Sequence, residues 1–239
     1  MAGQHVGTLR ERPLHADLKA RYAQAGDLVE QPVAGFVVDI VRGDLLIEIQ
    51  TRGFSSMRRK LNELLPDHRI LIVHPIAVDL YIARVDVATG VVSRRRSPKH
   101  GQVIDVFAEL VAFPELVAHP NFSLEVVLAR TEQLRTYDGN RGWRRKGWII
   151  EENRLLEVTD TRLIAAPEDL AAMLPASLPA RFTTAEIAAA TRASRRLAQQ
   201  MAYCLRRTGQ VEVVGKRGRA LEYMRVGAAG DVRRPSGAN

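Results

Sequence analysis

Aromatic side chains are scarce, at 5% of the 239 residues, so a core must be built mainly from Leu, Ile, Val and Ala. Cysteine is almost missing: Cys204 stands alone, which excludes an internal disulfide and any cysteine-rich metal site. Long apolar runs are missing too. None approaches the ~20 residues of a membrane-spanning helix, and the opening MAGQHVGTLR has no signal-peptide hydrophobic stretch. There is no Gly-rich phosphate loop and no Ser-His-Asp arrangement, and His68, His74, His100 and His119 lack metal-ligand spacing. These absences point to a soluble cytoplasmic protein without a membrane partner. What is present is an ordinary globular balance, 46% hydrophobic and 26% charged, enough for a sizeable core.

Charge is unevenly placed. The formal net charge is +8, and residues 181–239 hold 12 of the 35 Lys and Arg but only 4 of the 27 Asp and Glu. The rest of the chain then balances at 23 of each sign. A basic C-terminal quarter suits a polyanionic partner such as nucleic acid.

Periodicity gives the organisation. Leu14, Leu18 and Tyr22 share one face of a helix that starts at Pro13 and stops near Gly26. GFVVDIV (35–41) and LLIEIQT (45–51) read as a β-hairpin about Gly43-Asp44. Ser55 or Ser56 is placed to cap a helix ending before Pro66, and RILIVHP (69–75) reads as a strand buried on both faces. Beyond it, LYIARVDV and VVSRRR suggest a second hairpin, 103–118 a helical stretch, 122–130 a strand, and 147–158 two short strands. A basic loop spans 135–146, and Pro167, Pro175 and Pro179 mark a domain boundary. The expected division is a domain over 13–166, a module over 167–226 and a disordered tail over 227–239.

The first hairpin carries the chemistry. If Arg42 sits opposite Leu45, Asp39 falls opposite Glu48, and Asp39, Glu48 and Gln50 share one face. Facing carboxylates repel across strands, and a divalent cation with a preference for oxygen ligands, Mg²⁺ or Mn²⁺, reverses the sign of that interaction. The alternative is that the three residues form a solvated outer face of the sheet.

Asp39, a short turn, Glu48-Ile49-Gln50 on an apolar strand and a following basic helix resemble the PD-(D/E)XK nuclease superfamily, over about residues 14–75. The resemblance implies an α/β fold with a mixed-sheet, restriction-endonuclease-like core. Asp39 and Glu48 would hold the metal, and Glu30 is the best-placed additional acid. Gln50 stands where lysine is usual; it could orient water but supplies neither a base nor a cation. Arg59 or Lys60 of the next helix could supply the missing cation.

At the other end, Thr183-Thr184-Ala185-Glu186 fits a capping box, and Ser194 can cap a second helix with Leu197, Met201, Cys204 and Leu205 on one face. A hairpin with a Lys216-Arg217-Gly218-Arg219 tip follows. This order resembles a winged helix-turn-helix over about 167–226, with LAAML (170–174) in its first helix. By that resemblance Arg195, Arg196 and Gln199 would reach base edges, while Lys216, Arg217 and Arg219 would contact phosphate. A winged helix used for protein contacts is the alternative. The basic stretches Arg94-Arg95-Arg96 with Lys99 and His100, and Arg144-Arg145-Lys146 between Trp143 and Trp148, could line a nucleic-acid groove.

The favoured reading is a Mg²⁺- or Mn²⁺-dependent nuclease acting on duplex, branched or single-stranded DNA. RNA and a homodimer are left open. The competing reading is a non-catalytic DNA-binding regulator with a degenerate nuclease-like domain.

Overall fold

The computed structural model describes residues 13–85, 92–137 and 147–227. The chain divides into two compact units, one of residues 1–106 and 121–163 and one of residues 107–120 and 164–239. The boundary expected near Pro167 thus falls close to the second junction. The segment 107–120, expected in the first domain, belongs instead with the second.

The first unit runs α1 (Pro13–Tyr22), β1 (Leu28–Val33), β2 (Phe36–Arg42), β3 (Leu45–Ile49), α2 (Arg58–Leu64), β4 (Arg69–Val85), β5 (Val92–Arg96), β6 (Phe122–Tyr137) and β7 (Trp148–Ile164). It is a mixed α/β unit. Its seven strands form one sheet in the order β1-β2-β3-β4-β6-β7, with β5 paired to the far half of β4. β1, β2 and β3 form an antiparallel meander; the α2 crossover then makes β4 parallel to β3, and β6 is parallel to β4.

Alternation along β3 decides what each face holds. Ile47 and Ile49 pack with Leu18 of α1, Ile40, Val73, Val127 and Ala129. The intervening Leu46 is buried on the opposite face, as are Ile70, Ile72, Leu124 and Val126 of the neighbouring strands. A one-residue slip would turn the Glu48 carboxylate into the apolar layer beneath α1, away from Lys60, and burial of an unpaired charge opposes it.

Several elements differ from the sequence-based expectation. β1 was not expected: Pro32 and the positive φ of Glu30 (52°) obscure its pattern, both tolerable on an edge strand. It joins β2 through a tight turn at Ala34 (φ 47°) and Gly35 (φ 82°). β4 is one long strand rather than a strand followed by a hairpin arm. Pro75 does not end it because β3 pairs with β4 only as far as Val73 and β5 pairs with it only from Tyr81 onward, so no ladder bond from Pro75 is needed on that side. β7 is likewise one strand where two were expected. Its side-chain bonds to β6, Thr136–Glu151, Gln133–Asn153 and Thr159–Leu128, run antiparallel. Neither Ser55 nor Ser56 caps α2; both lie in a 3-10 turn, Phe54–Met57, and the Ser56 hydroxyl donates to the Gly53 carbonyl.

The second unit contains α3 (Phe107–Leu110), a 3-10 turn at Pro114–Ala118, α4 (Pro167–Ala171), β8 (Arg181–Thr183), α5 (Thr184–Thr191), α6 (Arg195–Arg207), β9 (Val211–Arg217) and β10 (Ala220–Arg225). Its three strands pair antiparallel in the order β8-β10-β9. Thr183 and Glu186 form the capping box, and Ser194 caps α6 by accepting from the Leu197 amide. The buried stripe of α6 is Leu197, Ala198, Met201, Ala202, Cys204 and Leu205, and α3 packs against this helix. Cys204 is therefore a packing residue, its thiol pushed up to about 12 by burial and then by the Glu115 charge. Of the tail expected to be disordered over 227–239, residues 228–239 lie outside the described residues. Among the described residues no helix is long and apolar enough to cross a membrane.

Candidate functional site

In the first unit, β2 pairs with β3 as Arg42↔Leu45, Val41↔Leu46 and Ile40↔Ile47. That register makes Asp39 and Glu48 the next opposed positions. There the side chains take over from the backbone ladder. Asp39 Oδ2 accepts the Ile49 amide at 2.8 Å, and the Asp39 amide helps hold the Glu48 carboxylate. Lys60 Nζ reaches down from α2 to donate to Glu48 Oε1 at 2.5 Å and to the Val37 carbonyl at 2.5 Å. The cation expected from the next helix is therefore Lys60. Arg59 is turned away, paired with Glu63 at 2.8 Å on the helix surface.

The two carboxylates have opposite electrostatics. Glu48 is 8% exposed, and burial pushes its carboxyl up to about 7; the Asp39 charge adds to this, while Lys60 and the Asp39 amide oppose it. Burial also acts to raise Asp39, but the hydrogen bond and charge of His15, the Ile49 amide and the Lys19 charge together hold it below its ordinary value. His15 Nε2 lies 3.2 Å from Asp39 Oδ2.

His15 and Lys19 were not singled out from the sequence. Four residues apart, they lie on one face of α1. Lys19 donates to Glu30 Oε1 at 2.6 Å, and Tyr22, one turn further, donates to Glu125 at 2.5 Å. A recognisable signal existed: polar residues at i and i+4, beside an apolar stripe, preceding an acidic hairpin.

Two expected members are elsewhere. Gln50 is not an orienting residue for water at the carboxylates: its side-chain amide donates to the carbonyls of Arg52 (2.6 Å) and Gly53 (3.3 Å), holding the loop after β3. Glu30 stands opposite Asp39 in the β1–β2 register, but its carboxylate is taken by Lys19. His74 Nδ1 donates to the Gln50 carbonyl at 2.7 Å and the ring packs edge-on against Phe54, a structural role. Among the described residues no three His, Cys, Asp or Glu side chains converge as a ligand group. What the site offers is a pair of carboxylates with a lysine beside them.

In the second unit Arg195, Arg196 and Gln199 are exposed on the first turns of α6, and Lys216 and Arg219 are exposed at the tip of the β9–β10 hairpin. Arg217 is not a free phosphate contact. Its guanidinium binds Glu186 at 2.9 Å and Glu222 at 2.5 Å, tying the hairpin to α5. The expected basic loop at 94–100 is corrected in the same way. Arg94 to Arg96 lie in β5; Arg94 pairs with Glu132, Arg96 with Asp79, and His100 with Asp79. Trp148 is not available for base stacking, because Arg84 lies 4.9 Å above its ring and Tyr137 meets it edge-on at 5.5 Å. Trp143 and Arg144-Arg145-Lys146 lie outside the described residues.

A mixed α/β unit with an acidic pair on its antiparallel meander, joined to a small helix-and-hairpin unit, is the class of protein these observations define. The chain belongs to the family described as Domain of unknown function (DUF8091), which matches residues 12–165. It is also similar to a protein of Treponema pallidum (strain Nichols) described as "Uncharacterized protein". The two are 31% identical over 232 residues, covering 96% of this chain and 91% of the relative. No solved structure matches the chain.

Proposed function

We propose that this protein is a divalent-metal-dependent nuclease with a restriction-endonuclease-like core, whose second unit is a winged helix that binds DNA. The observation that carries the proposal is the set Asp39, Glu48 and Lys60: two opposed carboxylates and an ammonium, positioned by three consecutive elements. The order α1-β1-β2-β3-α2-β4, with an antiparallel meander and a parallel fourth strand, supports the same reading. So does the second unit's helix, strand, helix, helix and hairpin order, with α6 presenting Arg195, Arg196 and Gln199.

The donors fit Mg²⁺ or Mn²⁺. Both are hard carboxylate oxygens, Asp39 Oδ1 has no hydrogen-bond partner among the described residues, and a cation beside Glu48 would offset its costly burial. Asp39 and Glu48 are the residues that would hold the ion. When bound, such an ion acidifies water and neutralises charge on phosphoryl oxygens. Lys60 Nζ, beside Glu48, can donate to a phosphate oxygen as negative charge develops. His15 fixes the Asp39 carboxylate from the opposite side through Oδ2, and Lys19 keeps Glu30 from competing for the same space.

One observation favours a non-catalytic DNA-binding regulator: Gln50 replaces the usual lysine and is spent on the loop. The two readings separate in a thermal melt. With Mn²⁺ at about ten times its dissociation constant, the folded state should gain roughly 1.4 kcal/mol, a rise in Tm of about 3 °C for a chain this size. Glu48→Gln should abolish the shift. A parent melting curve unmoved by 10 mM Mn²⁺ would favour the regulator.

A further inference from the structure

The link from α5 to α6 is built at a cost to stability. α5 stops at Arg192, which stands at φ 57° and ψ 24° in the left-handed region, and α6 begins three residues later. An L side chain in that region crowds the carbonyl that follows it, and glycine is free of that clash. Elsewhere the chain places glycine at such stops. Gly209, two residues past the end of α6, has φ 73°, and Gly26, in the turn after α1, has φ 92°.

The neighbours of Arg192, not its own side chain, impose this conformation. The Thr191 hydroxyl donates to the Ile187 carbonyl at 2.7 Å and accepts the Ala193 amide at 3.3 Å. Ser194 Oγ accepts the Leu197 amide at 3.1 Å. Ile187 and Leu197 are buried, so the packing of the two helices fixes the path of the link.

The Arg192 side chain returns nothing to the fold. It is exposed, and its guanidinium has no partner among the described residues. The one acid within 184–207 is Glu186, and its carboxylate is taken by Thr183 and Arg217. A positive charge is favourable at the end of α5 and unfavourable at the start of α6, so the two helix dipoles offset. A strained position that carries an unpartnered cation points to work outside the fold.

A guanidinium only donates, through a planar fork that matches the oxygens of a phosphate. Arg192 lies at most ~11 Å of extended chain from Arg195. In a helix-turn-helix the second helix enters the major groove and the first crosses the backbone, so the link between them passes over a strand. We infer that Arg192 binds a backbone phosphate of duplex DNA at the edge of the groove that α6 enters. The inference rests on the winged-helix reading of the second unit and is independent of the metal site. Arg192 then positions the duplex without reading its sequence.

The test uses the full chain in EDTA, with a short, fluorescently labelled duplex of mixed sequence read by anisotropy over a range of salt. Arg192→Gly should raise Tm by a few degrees, because the clash is relieved. The same variant should bind the duplex roughly tenfold more weakly, with a log K against log salt slope shallower by about 0.9. Arg192→Lys keeps the charge and the left-handed backbone, so it should recover part of the affinity with no rise in Tm. Arg162→Ala, which removes an exposed charge from β7, should bind as the parent does. Parent-like affinity and slope in Arg192→Gly overturn the assignment while leaving duplex binding by the second unit intact. A Tm below the parent's in that variant also overturns it, by making the side chain a structural one. Equal weakening in Arg162→Ala reduces the effect to net charge and has the same consequence. A parent chain that does not bind the duplex at all is the separate failure of the winged-helix reading, and the phosphate contact falls with it.

Discussion

At pH 8 the Glu48→Gln variant is expected to lose metal-dependent DNA cleavage by at least ~10³-fold while melting no lower than the parent chain. The first half follows from the proposal that Asp39 and Glu48 hold the metal, since electrostatic stabilisation of a phosphoryl transition state is worth several kcal/mol. The second half follows from the cost of Glu48. Its folded-state value is about 7 against an ordinary 4.5. Between those pH values the unfolded chain has released the proton and the folded chain retains it, so stability falls as pH rises through this window. The loss is on the order of 3 kcal/mol by pH 8. Glutamine keeps an oxygen for Lys60 and does not titrate. Parent melting temperatures should therefore decline from pH 5 to pH 7.5, and the variant should lack that decline. Equal pH profiles would show that Glu48 is not the strained group.

Asp39 behaves with the opposite sign. Its carboxyl is held low, so the stability it contributes is present above the ordinary aspartate range and is lost as pH falls through its depressed value. Asp39→Asn should accordingly destabilise the metal-free chain. Carboxylate repulsion, all that the sequence reveals, would suggest the reverse; the difference lies in His15 and the Ile49 amide, which solvate Asp39 and not Glu48.

The second large effect is expected in DNA affinity and its salt dependence. Replacing Lys216 and Arg219 together in the full chain should weaken binding to all duplex sequences. The log K against log salt slope should become shallower by up to about 2, at ~0.9 for each phosphate no longer neutralised. Arg195→Ala should instead cost roughly 1–3 kcal/mol mainly on a preferred sequence, if that side chain reads a base edge. Arg217→Ala should act on stability first, because it breaks the ties to Glu186 and Glu222. Exposed ion pairs are individually worth ~0–1 kcal/mol, so a melting shift of only a few degrees is expected. The full chain is the right material: a fragment beginning at 167 would lack α3, which packs against α6. A salt slope unaltered in the double variant would move the DNA-binding surface away from the hairpin.

The hairpin was legible in the sequence because a two-residue turn dictates its register, and the register alone puts Asp39 opposite Glu48. Lys60 was legible because the crossover helix must return over the same sheet face. The capping box at Thr183–Glu186 and the cap at Ser194 were legible for the same local reason. What sequence periodicity could not show were the long-range partners. Nothing local pairs Arg217 with Glu186, 31 residues away, or Tyr22 with Glu125, 103 residues away. The lengths of β4 and β7 were hidden because Pro75 and the polar run at 151–154 break an apolar pattern that β6 nevertheless pairs along. The segment 107–120 was misassigned because its partner helix, α6, comes almost 90 residues later.

The central claim is that Asp39 and Glu48 form a metal-dependent nuclease site, and direct cleavage tests it most simply. The purified full chain is incubated with Mg²⁺ or Mn²⁺ and a panel of duplex, single-stranded and branched DNA, beside the Glu48→Gln variant and an EDTA control. The account predicts cutting of at least one substrate by the parent chain, lost in both the variant and EDTA. Equal cutting by parent and variant, or none by either across the panel, would contradict it.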